Sequence, residues 1–262
     1  MLALRQQAVP FLAYSIPGTE NASVVAARSA ACAGVAETVA ITSVAERFQK
    51  QLAFLQTACE PFRYWSVEEP YRGQRRGKLV SEDNAAVGLS TILTESRPTG
   101  GLIYLSGSGA DEILSDYAID GDPVFCHSCF RGVFPRNLST VFPWCSFYKG
   151  TQRNYLMKEE LVAGAHGVEG RYPFLDPKVV QEYLWLSADV KNSEYKRPVA
   201  DYLRAFGFPN AWKQKIGFNV LPDASFIAPT AAMDSGHKSL TSMIHGFNLK
   251  KDNHLPATAV KN

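Results

Sequence analysis

The stretch GLIYLSGSGADE, residues 101–112, joins an apolar run to a glycine-rich turn and then to two adjacent carboxylates. The run GLIYLS (101–106) has the length and the apolar content of a buried strand. Glycines at 107 and 109 free the backbone from side chains, so that successive N–H groups become accessible to a ligand. A strand that turns into a helix in this way is typical of the carboxyl edge of a parallel sheet, where open α/β proteins bind their ligands.

The residues alone leave two interpretations of this turn. In the first, backbone amides and the Ser106 hydroxyl hold phosphate oxygens, and Asp111 holds Mg²⁺ against the polyphosphate, because Mg²⁺ prefers oxygen ligands. In the second, the turn is only a structural junction, in which Asp111 and Glu112 stabilise a helix N-terminus. A dinucleotide-binding G-x-G-x-x-G motif is excluded, since it would require glycine in place of Glu112.

Two more β-rich runs precede this strand, FLAYSI (11–16) and ETVAITSV (37–44). Helical patterns separate the three runs and cover residues 20–35, 45–59 and 82–96. Strands that alternate with helices of this length favour parallel βαβ units with helices on both faces of the sheet. We therefore predict an α/β fold in which these three strands are parallel.

The second half of the sequence predicts helices and long loops. Residues 118–156 are rich in aromatic side chains without a clear period, whereas helical patterns cover 155–166, 176–187 and 197–206. From residue 222 the composition turns to Ala, Ser, Thr, Lys and Asn with weak apolar patterning. We predict one domain over residues 1–221 and a poorly ordered or peripheral tail over 222–262.

Composition argues against membrane and nucleic-acid partners. No apolar run reaches the length of about 18 residues that a membrane helix needs, and the start lacks the order of a signal peptide. The net charge of +2 gives no indication of nucleic-acid binding, and we interpret the basic cluster YRGQRRGK (71–78) as a solvated loop. These features predict a cytoplasmic protein that binds neither membranes nor nucleic acid.

The five cysteines are an odd number without regular spacing, and CHSC (126–129) is the single C-x-x-C motif in the sequence. A structural zinc site would need a second cysteine pair, or histidines at ligand spacing, which His127 and His166 do not provide. We therefore expect reduced thiols without a metal or redox role, as is usual in a cytosolic compartment.

Two further segments carry residues suited to polyphosphate chemistry. GVEGRYPFLDPKVV (167–180) contains Glu169 and an arginine, and PNAWKQKIGF (209–218) places two lysines beside a glycine. A carboxylate can move a proton or orient a lysine, and cations can neutralise a leaving polyphosphate. Each segment alone also fits a structural role, since PFLD suits the turn before a helix and KQK a solvated loop.

Taken in order, LSG-x-GADE, GVE-x-R-x-PFLD and the KQK–GF segment resemble the C-terminal synthetase domain of glutamine-hydrolysing asparagine synthetases and the related β-lactam synthetases. The resemblance spans roughly residues 8–220. It implies a parallel sheet of the ATP pyrophosphatase (adenine nucleotide α-hydrolase-like) type. It also implies that ATP and Mg²⁺ adenylate an aspartate-like carboxylate, releasing pyrophosphate, before ammonia or an amine attacks the acyl-adenylate.

The resemblance assigns nucleotide-binding roles to individual residues. Ile16 would line the adenine pocket, and Ser106 and Gly107 would hold the nucleotide beside its α-phosphate. Asp111 matches the carboxylate that binds Mg²⁺ and pyrophosphate.

The implied catalytic residues are Lys215 and Glu169. Lys215 matches the lysine that stabilises charge on the adenylate and pyrophosphate, and Glu169 is a candidate for orienting that lysine or moving a proton. We expect Lys215 to converge on one cleft with the nucleotide-binding residues. Ser108 departs from asparagine synthetases, which usually carry an acidic residue there that handles the ammonia proton, so the resemblance does not specify asparagine as the product.

Two features of the family have no counterpart in this sequence. It contains no SGG-x-DS string, whose backbone wraps pyrophosphate on the family's first strand and whose aspartate is a second Mg²⁺ ligand. It has Leu2 where the glutaminase domain of the family carries its nucleophilic cysteine, so ammonia would come from a separate glutaminase domain.

The resemblance thus implies a sheet without its first strand and little activity for this chain alone. Three hypotheses remain open. The chain is part of an ATP-dependent amide-forming ligase, a non-catalytic remnant that acts as a binding or interaction module, or a synthetase with a different acceptor.

Overall fold

Short helices and short strands alternate through a computed structural model of the chain, which describes residues 1–16, 21–41, 45–61, 63–67, 75–124, 128–148, 150–210 and Phe218. The strands are β1 (Phe11–Ser15), β2 (Ala36–Ala40), β3 (Arg63–Val67), β4 (Arg75–Leu79), β5 (Ile103–Leu105), β6 (Ala118–Ile119), β7 (Asp122–Pro123) and β8 (Glu169–Arg171). The helices are α1 (Leu2–Gln6), α2 (Ala22–Ala31), α3 (Ala45–Ala58), α4 (Asn84–Ser96), α5 (Ala110–Leu114), α6 (Thr151–Ala165), α7 (Pro177–Trp185), α8 (Ala188–Asn192) and α9 (Arg197–Ala205). The chain is therefore an α/β protein, as predicted.

Strands β1 and β2 form a two-stranded parallel sheet, in which Phe11 pairs with Ala36 and Ser15 with Ala40. Helix α2 connects them, and it begins where the side chain of Asn21 accepts hydrogen bonds from the first backbone N–H groups of the helix. This is the parallel βαβ unit that the alternation of apolar runs predicted. The predicted strand 37–44 continues beyond Ala40 into residues 42–44, which lie outside the described ranges.

Strand β5 also pairs in parallel, with β8, so that Ile103 lies opposite Glu169 and Leu105 opposite Arg171. The backbone N–H of Ser106 continues this ladder by donating to the carbonyl of Arg171 at 2.9 Å. Within the described ranges the β1–β2 and β5–β8 sheets remain separate two-stranded sheets. The predicted parallel direction is thus confirmed for β1 and β2, whereas β5 pairs in parallel with a strand that was not predicted and shares no sheet with them in the described ranges.

Both sheets pack against the same hydrophobic cluster. Tyr14 of β1 and Tyr104 of β5 contact a core that includes Leu55 of α3, Leu93 of α4 and Val162 of α6. Burying such apolar side chains is the main favourable contribution to folding. The β1–β2 and β5–β8 sheets therefore lie on one layer of helices.

The opposite faces of the two sheets differ. Phe11 of β1 packs with Leu2, Cys32 and Phe208 in a small second core, so β1 is covered on both faces. On β5, Ile103 is 61% exposed. The predicted cover on both faces is therefore confirmed for β1 and wrong for β5 within the described part of the chain.

The second half of the chain packs around helix α5. Ile113 of α5 lies in a cluster with Phe134, Trp144 and Tyr183, and the aromatic rings meet edge to face. The indole N–H of Trp144 donates to the carbonyl of Glu112 at 2.8 Å. The long aromatic segment without a period is therefore a packed loop around the helix that follows the glycine turn.

The prediction of a loop at the basic cluster is also wrong. The region assigned to a loop contains β3 and β4, which pair as an antiparallel hairpin with Arg63 opposite Leu79. Residues 75–78 of the basic cluster lie in β4, and 71–74 lie outside the described residues. The sequence RRGKL has no apolar alternation, and a strand paired through its backbone does not require one.

The expectation of reduced thiols is also wrong for one pair, since Cys129 and Cys145 form a disulfide. Cys32 and Cys59 are free thiols, and Cys126 lies outside the described ranges. Among described residues, no group of three or more histidine, cysteine or acidic side chains is placed to hold a metal ion.

Asp116 holds the disulfide loop to the end of α5. Its fully buried carboxylate accepts hydrogen bonds from the backbone N–H groups of Cys129 and Phe130 and from the hydroxyls of Ser128 and Ser146, at 2.8–3.0 Å. Its φ of 44° lies in the left-handed region, which Asp adopts more readily than most residues.

All described residues belong to one compact unit, Met1–Ala228. Within them no helix is both long enough and apolar enough to cross a membrane. The predicted tail over 222–262 lies outside the described residues.

Candidate functional site

The glycine turn lies at the carboxyl end of β5, and its two glycines have different surroundings. A side chain added at Gly107 would meet nothing within 4 Å, so the backbone there is open to a ligand. Gly109 has φ +100°, and an added Cβ would lie 2.5 Å from Leu175. Gly109 is therefore required by backbone conformation and by packing, whereas Gly107 leaves space in front of the turn.

Ser106 holds the turn from inside. It is buried, and its Oγ accepts a hydrogen bond from the backbone N–H of Ser108 at 3.0 Å. The predicted nucleotide-binding residues Ser106 and Gly107 thus lie together, one shaping the turn and the other leaving its outer side accessible.

Glu112 has a structural role, as expected from its position. Its carboxylate accepts a hydrogen bond from the backbone N–H of Gly109 at 3.1 Å and another from the hydroxyl of Tyr117. Burial raises the pKa of Glu112, and the Tyr117 hydrogen bond offsets part of that rise. The second of the two adjacent carboxylates is therefore turned into the protein and stabilises the turn.

Asp111 is directed towards a cation that the sequence interpretation missed. The Lys196 Nζ lies 2.5 Å from Asp111 Oδ1, and the hydroxyl of Tyr195 donates to the same oxygen at 3.3 Å. The side chains of Asp111 and Lys196 are 21% and 18% exposed. Lys196 has φ 49°, the left-handed region that is uncommon for a lysine. The predicted metal ligand is therefore half of a partly buried ion pair beside the turn.

The sequence offered little indication of Lys196. It stands in EYKRP, directly before the helical pattern of α9, where a lysine is usually a solvated residue. Only the fold brings this segment to the glycine turn, because α9 and α5 are far apart in sequence.

A second carboxylate reaches the turn from helix α6. Ser108 Oγ donates to Glu159 Oε1 at 2.5 Å, and the Tyr104 hydroxyl donates to Glu159 Oε2 at 3.4 Å. Burial, and then the negative charge of Glu159, raise the pKa of Tyr104, which keeps the phenol protonated as a donor. Position 108 thus carries a serine that is hydrogen-bonded to a glutamate of α6.

The structure places one predicted site residue, Glu169, away from the turn. Glu169 lies opposite Ile103, at the other end of the β5–β8 pair from Gly107, and forms an exposed ion pair with Arg171. Ile16 is buried in the first core with Ile41. Lys215 lies outside the described residues, so its convergence with Asp111 stays a prediction.

A cavity of about 380 Å³ adjoins the carboxyl end of β8, where Ser106 pairs with Arg171. Its lining includes Arg171, Tyr172 and Leu175, the residue that packs against Gly109. The glycine turn and the PFLD segment, widely separated in sequence, therefore meet at one end of the β5–β8 sheet.

These groups can bind an anion more readily than an isolated metal ion. Lys196 supplies a positive charge and Gly107 an accessible backbone, both suited to phosphate oxygens. Mg²⁺ is commonly held by one or two protein carboxylates together with phosphate oxygens of a substrate. Asp111 fits that mode as one protein ligand to a metal–polyphosphate.

Comparison of the chain with protein-family models and with curated proteins found no match.

Proposed function

We propose that this chain binds ATP at the glycine turn and belongs to the ligases that activate a carboxylate as an acyl-adenylate, with a fold of the ATP pyrophosphatase type. The observation that carries the proposal is the arrangement at the end of β5, where an accessible Gly107 lies at the same turn as the Asp111–Lys196 pair. Binding of a nucleoside triphosphate with its metal ion requires a backbone turn, a cation and a metal-binding carboxylate.

In this proposal, different residues bind different parts of the nucleotide. Ser106 and Gly107 hold the region of the α-phosphate, and Asp111 would hold Mg²⁺ beside the polyphosphate. Lys196 moves from the Asp111 carboxylate to the phosphate oxygens, where it offsets the charge of the leaving pyrophosphate. Bound Mg²⁺ would supply further charge neutralisation during departure of the pyrophosphate.

The second half of the reaction needs a base for the nucleophile. The substrate carboxylate attacks the α-phosphorus and releases pyrophosphate, and ammonia or an amine then forms the amide and releases AMP and a proton. Glu159, hydrogen-bonded to Ser108, is placed at the turn to accept that proton. It supplies from helix α6 the carboxylate that position 108 lacks.

A second candidate function is nucleotide binding without turnover. Two observations favour it: Asp111 is already paired with Lys196, and the sequence contains no SGG-x-DS string to wrap the pyrophosphate. Adenylation depends on holding the phosphates in line, so losing that loop is expected to cost at least several kcal/mol of transition-state stabilisation.

Two measurements test these functions. Titration of the chain with a fluorescent ATP analogue and Mg²⁺ should show binding, and Lys196→Met should weaken it about tenfold, since a charge-assisted contact is lost. Lys178→Met, at an exposed position on α7, is the matched control and should bind as the unaltered chain does. Equal binding by both variants, or none by the unaltered chain, would refute the nucleotide site.

Pyrophosphate exchange with ATP, Mg²⁺ and aspartate then separates the two functions. We expect exchange at background for the chain alone and above background once a segment carrying SGG-x-DS is joined ahead of Met1. Binding that never leads to exchange in either form would leave the non-catalytic function as the correct one.

A further inference from the structure

Helix α6 packs on the protein with one side and faces solvent with the other. Lys158 and Val162 are buried on its inner side, and Val162 belongs to the first core. Arg153, Met157 and Glu160 are exposed on its outer side, because residues three and four positions apart on a helix share a face. The outer side of α6 thus carries a cation, an apolar side chain and an anion, in that order along the chain.

An apolar cavity of about 360 Å³ extends along this outer side. Leu156 and Met157 line it from α6, and Phe147 and Tyr148 line it from the segment that precedes the helix. Tyr148 is 53% exposed and Met157 is 37% exposed. Adjoining apolar side chains at the surface are typical of sites that another protein covers. We call this surface the α6 groove, and covering it is favourable because apolar surface leaves water.

Two charged residues line the α6 groove, one towards each end. Arg153 and Glu160 are seven positions apart, which separates them by about 10 Å along the helix axis. Glu160 accepts a hydrogen bond from the Tyr172 hydroxyl at 2.7 Å, which holds the carboxylate in place. Leu156 and Met157 lie midway between the two charges. The groove is therefore apolar at its centre and oppositely charged at its ends.

This distribution of charge is complementary to itself. A two-fold axis between Leu156 and Met157 would place α6 antiparallel to the α6 of a second copy. Arg153 of each copy would then lie beside Glu160 of the other, because the two residues are equally far from the axis. The apolar residues of both copies would meet at the centre, where interfaces gain most of their binding energy. Symmetric dimers use the same patch on both chains in this way.

We propose that the chain forms a symmetric dimer through the α6 groove, with a second copy of the chain as its occupant. No described atom lies within 4 Å of a Cβ added at Gly164, one turn after Glu160, so the surface stays open for the second helix. Two helical turns and one short segment form a small interface, for which we expect a dissociation constant of about 10–100 μM. The dimer requires neither ATP nor Mg²⁺ and is independent of the proposed function.

Charge reversal tests the pairing between copies. Arg153→Glu and Glu160→Arg each place like charges opposite one another, so each variant alone should be monomeric. A mixture of the two variants restores both opposite-charge pairs, because one copy then carries two glutamates and the other two arginines. We expect the mixture to form a heterodimer at least about tenfold more tightly than either variant associates with itself.

Sedimentation velocity over about 1–200 μM chain measures this association across the expected dissociation constant. Every sample carries Ile103→Lys, because the open edge of β5 offers a second route of association. Lys178→Glu, an equal change of charge at an exposed position of α7, is the control and should leave the dimer intact. A monomeric chain with an unaltered groove, dimers of either charge-reversal variant alone, or a mixture that stays monomeric would each overturn the proposal.

Discussion

Asp111 and Glu112 are neighbours in sequence, but their carboxylates have opposite environments. Asp111 is partly exposed and faces Lys196, whereas Glu112 is buried and accepts hydrogen bonds from Gly109 and Tyr117. The helical geometry of α5 separates them, since successive side chains on a helix point in directions about 100° apart. One residue is thereby available to a ligand while the other stabilises the turn.

The buried carboxylate should make stability depend on pH. Burial raises the pKa of Glu112 above its ordinary value of 4.5, so the folded chain holds the proton more tightly than the unfolded chain does. The stability that results is complete below the unfolded pKa and is lost as pH rises through the folded pKa. We expect the free energy of unfolding to fall relative to that of Glu112→Gln as pH increases from 4 to 7.

Urea unfolding of both chains at several pH values measures this difference. Glu60→Gln, at an exposed position, controls for the loss of one carboxylate. A gap between the unaltered chain and Glu112→Gln that stays constant with pH would contradict the assignment of a raised pKa to Glu112.

The Asp111–Lys196 pair should contribute to stability as well as to ligand binding. Lys196→Met removes one cation from beside a partly buried carboxylate and should cost about 1–3 kcal/mol in the free energy of unfolding. Methionine keeps the length of the side chain and has a similar tolerance for the left-handed backbone, so the change isolates the charge.

The Arg47–Glu95 pair provides the comparison, since its side chains are 37% and 41% exposed. Glu95→Gln there should change the free energy of unfolding by no more than about 0.5 kcal/mol, as is usual for surface pairs. Combining Lys196→Met with Asp111→Asn should cost less than the sum of the two changes. Additive costs would show that the two residues do not interact.

At the scale of elements, periodic segments were predictable and irregular ones were not. The runs that became β1, β2 and β5 and the patterns that became α6, α7 and α9 were assigned from apolar spacing alone. The β3–β4 hairpin was missed because β4, with the sequence RRGKL, lacks apolar alternation. Predicting Lys196 and Glu159 at the turn required knowledge of two long-range contacts, Lys196 with Asp111 and Glu159 with Ser108, which local patterns do not encode.

The disulfide loop should depend strongly on Asp116. Asp116→Asn leaves a group that cannot accept all four hydrogen bonds, and we expect a loss of about 2–3 kcal/mol in the free energy of unfolding. Asparagine tolerates the left-handed conformation, so the backbone itself should be unaffected.

The control is Asp176→Asn at the start of α7, where the carboxylate accepts a hydrogen bond from the N–H of Lys178 at 2.9 Å. Asparagine caps helices as well as aspartate does, so that change should stay within about 0.5 kcal/mol. Urea unfolding measures both changes. Comparable losses in the free energy of unfolding at both positions would show that the Asp116 contacts stabilise the chain no more than an ordinary helix cap does.

At the scale of the whole molecule, both parallel sheets have an open edge within the described residues. Strand β1 bonds to β2 through alternate residues, which directs the N–H and C=O groups of Leu12 and Tyr14 away from β2. The same pattern directs the backbone groups of Ile103 and Leu105 away from β8. Unpaired strand edges are sites at which chains associate.

We expect the open edge of β5 to drive self-association of the isolated chain. Ile103→Lys should shift sedimentation profiles towards the monomer, because charge on an edge strand opposes pairing. It should leave the free energy of unfolding within about 0.5 kcal/mol, since Ile103 is already exposed. Trp185→Lys on α7 removes apolar surface of 72% exposure without touching an edge. If Trp185→Lys had the same effect, general surface hydrophobicity would be the cause.

The contact between Gly109 and Leu175 has a consequence for how this sequence can change through descent. A side chain at 109 would collide with Leu175, so the glycine is retained for packing whether or not a nucleotide ever binds. In a lineage that had stopped using the site, we expect Gly109 and Leu175 to persist together while Gly107 and Lys196 drift. Loss of Gly107 and Lys196 in a descendant would then indicate loss of the chemistry, whereas loss of Gly109 and Leu175 would indicate loss of the fold.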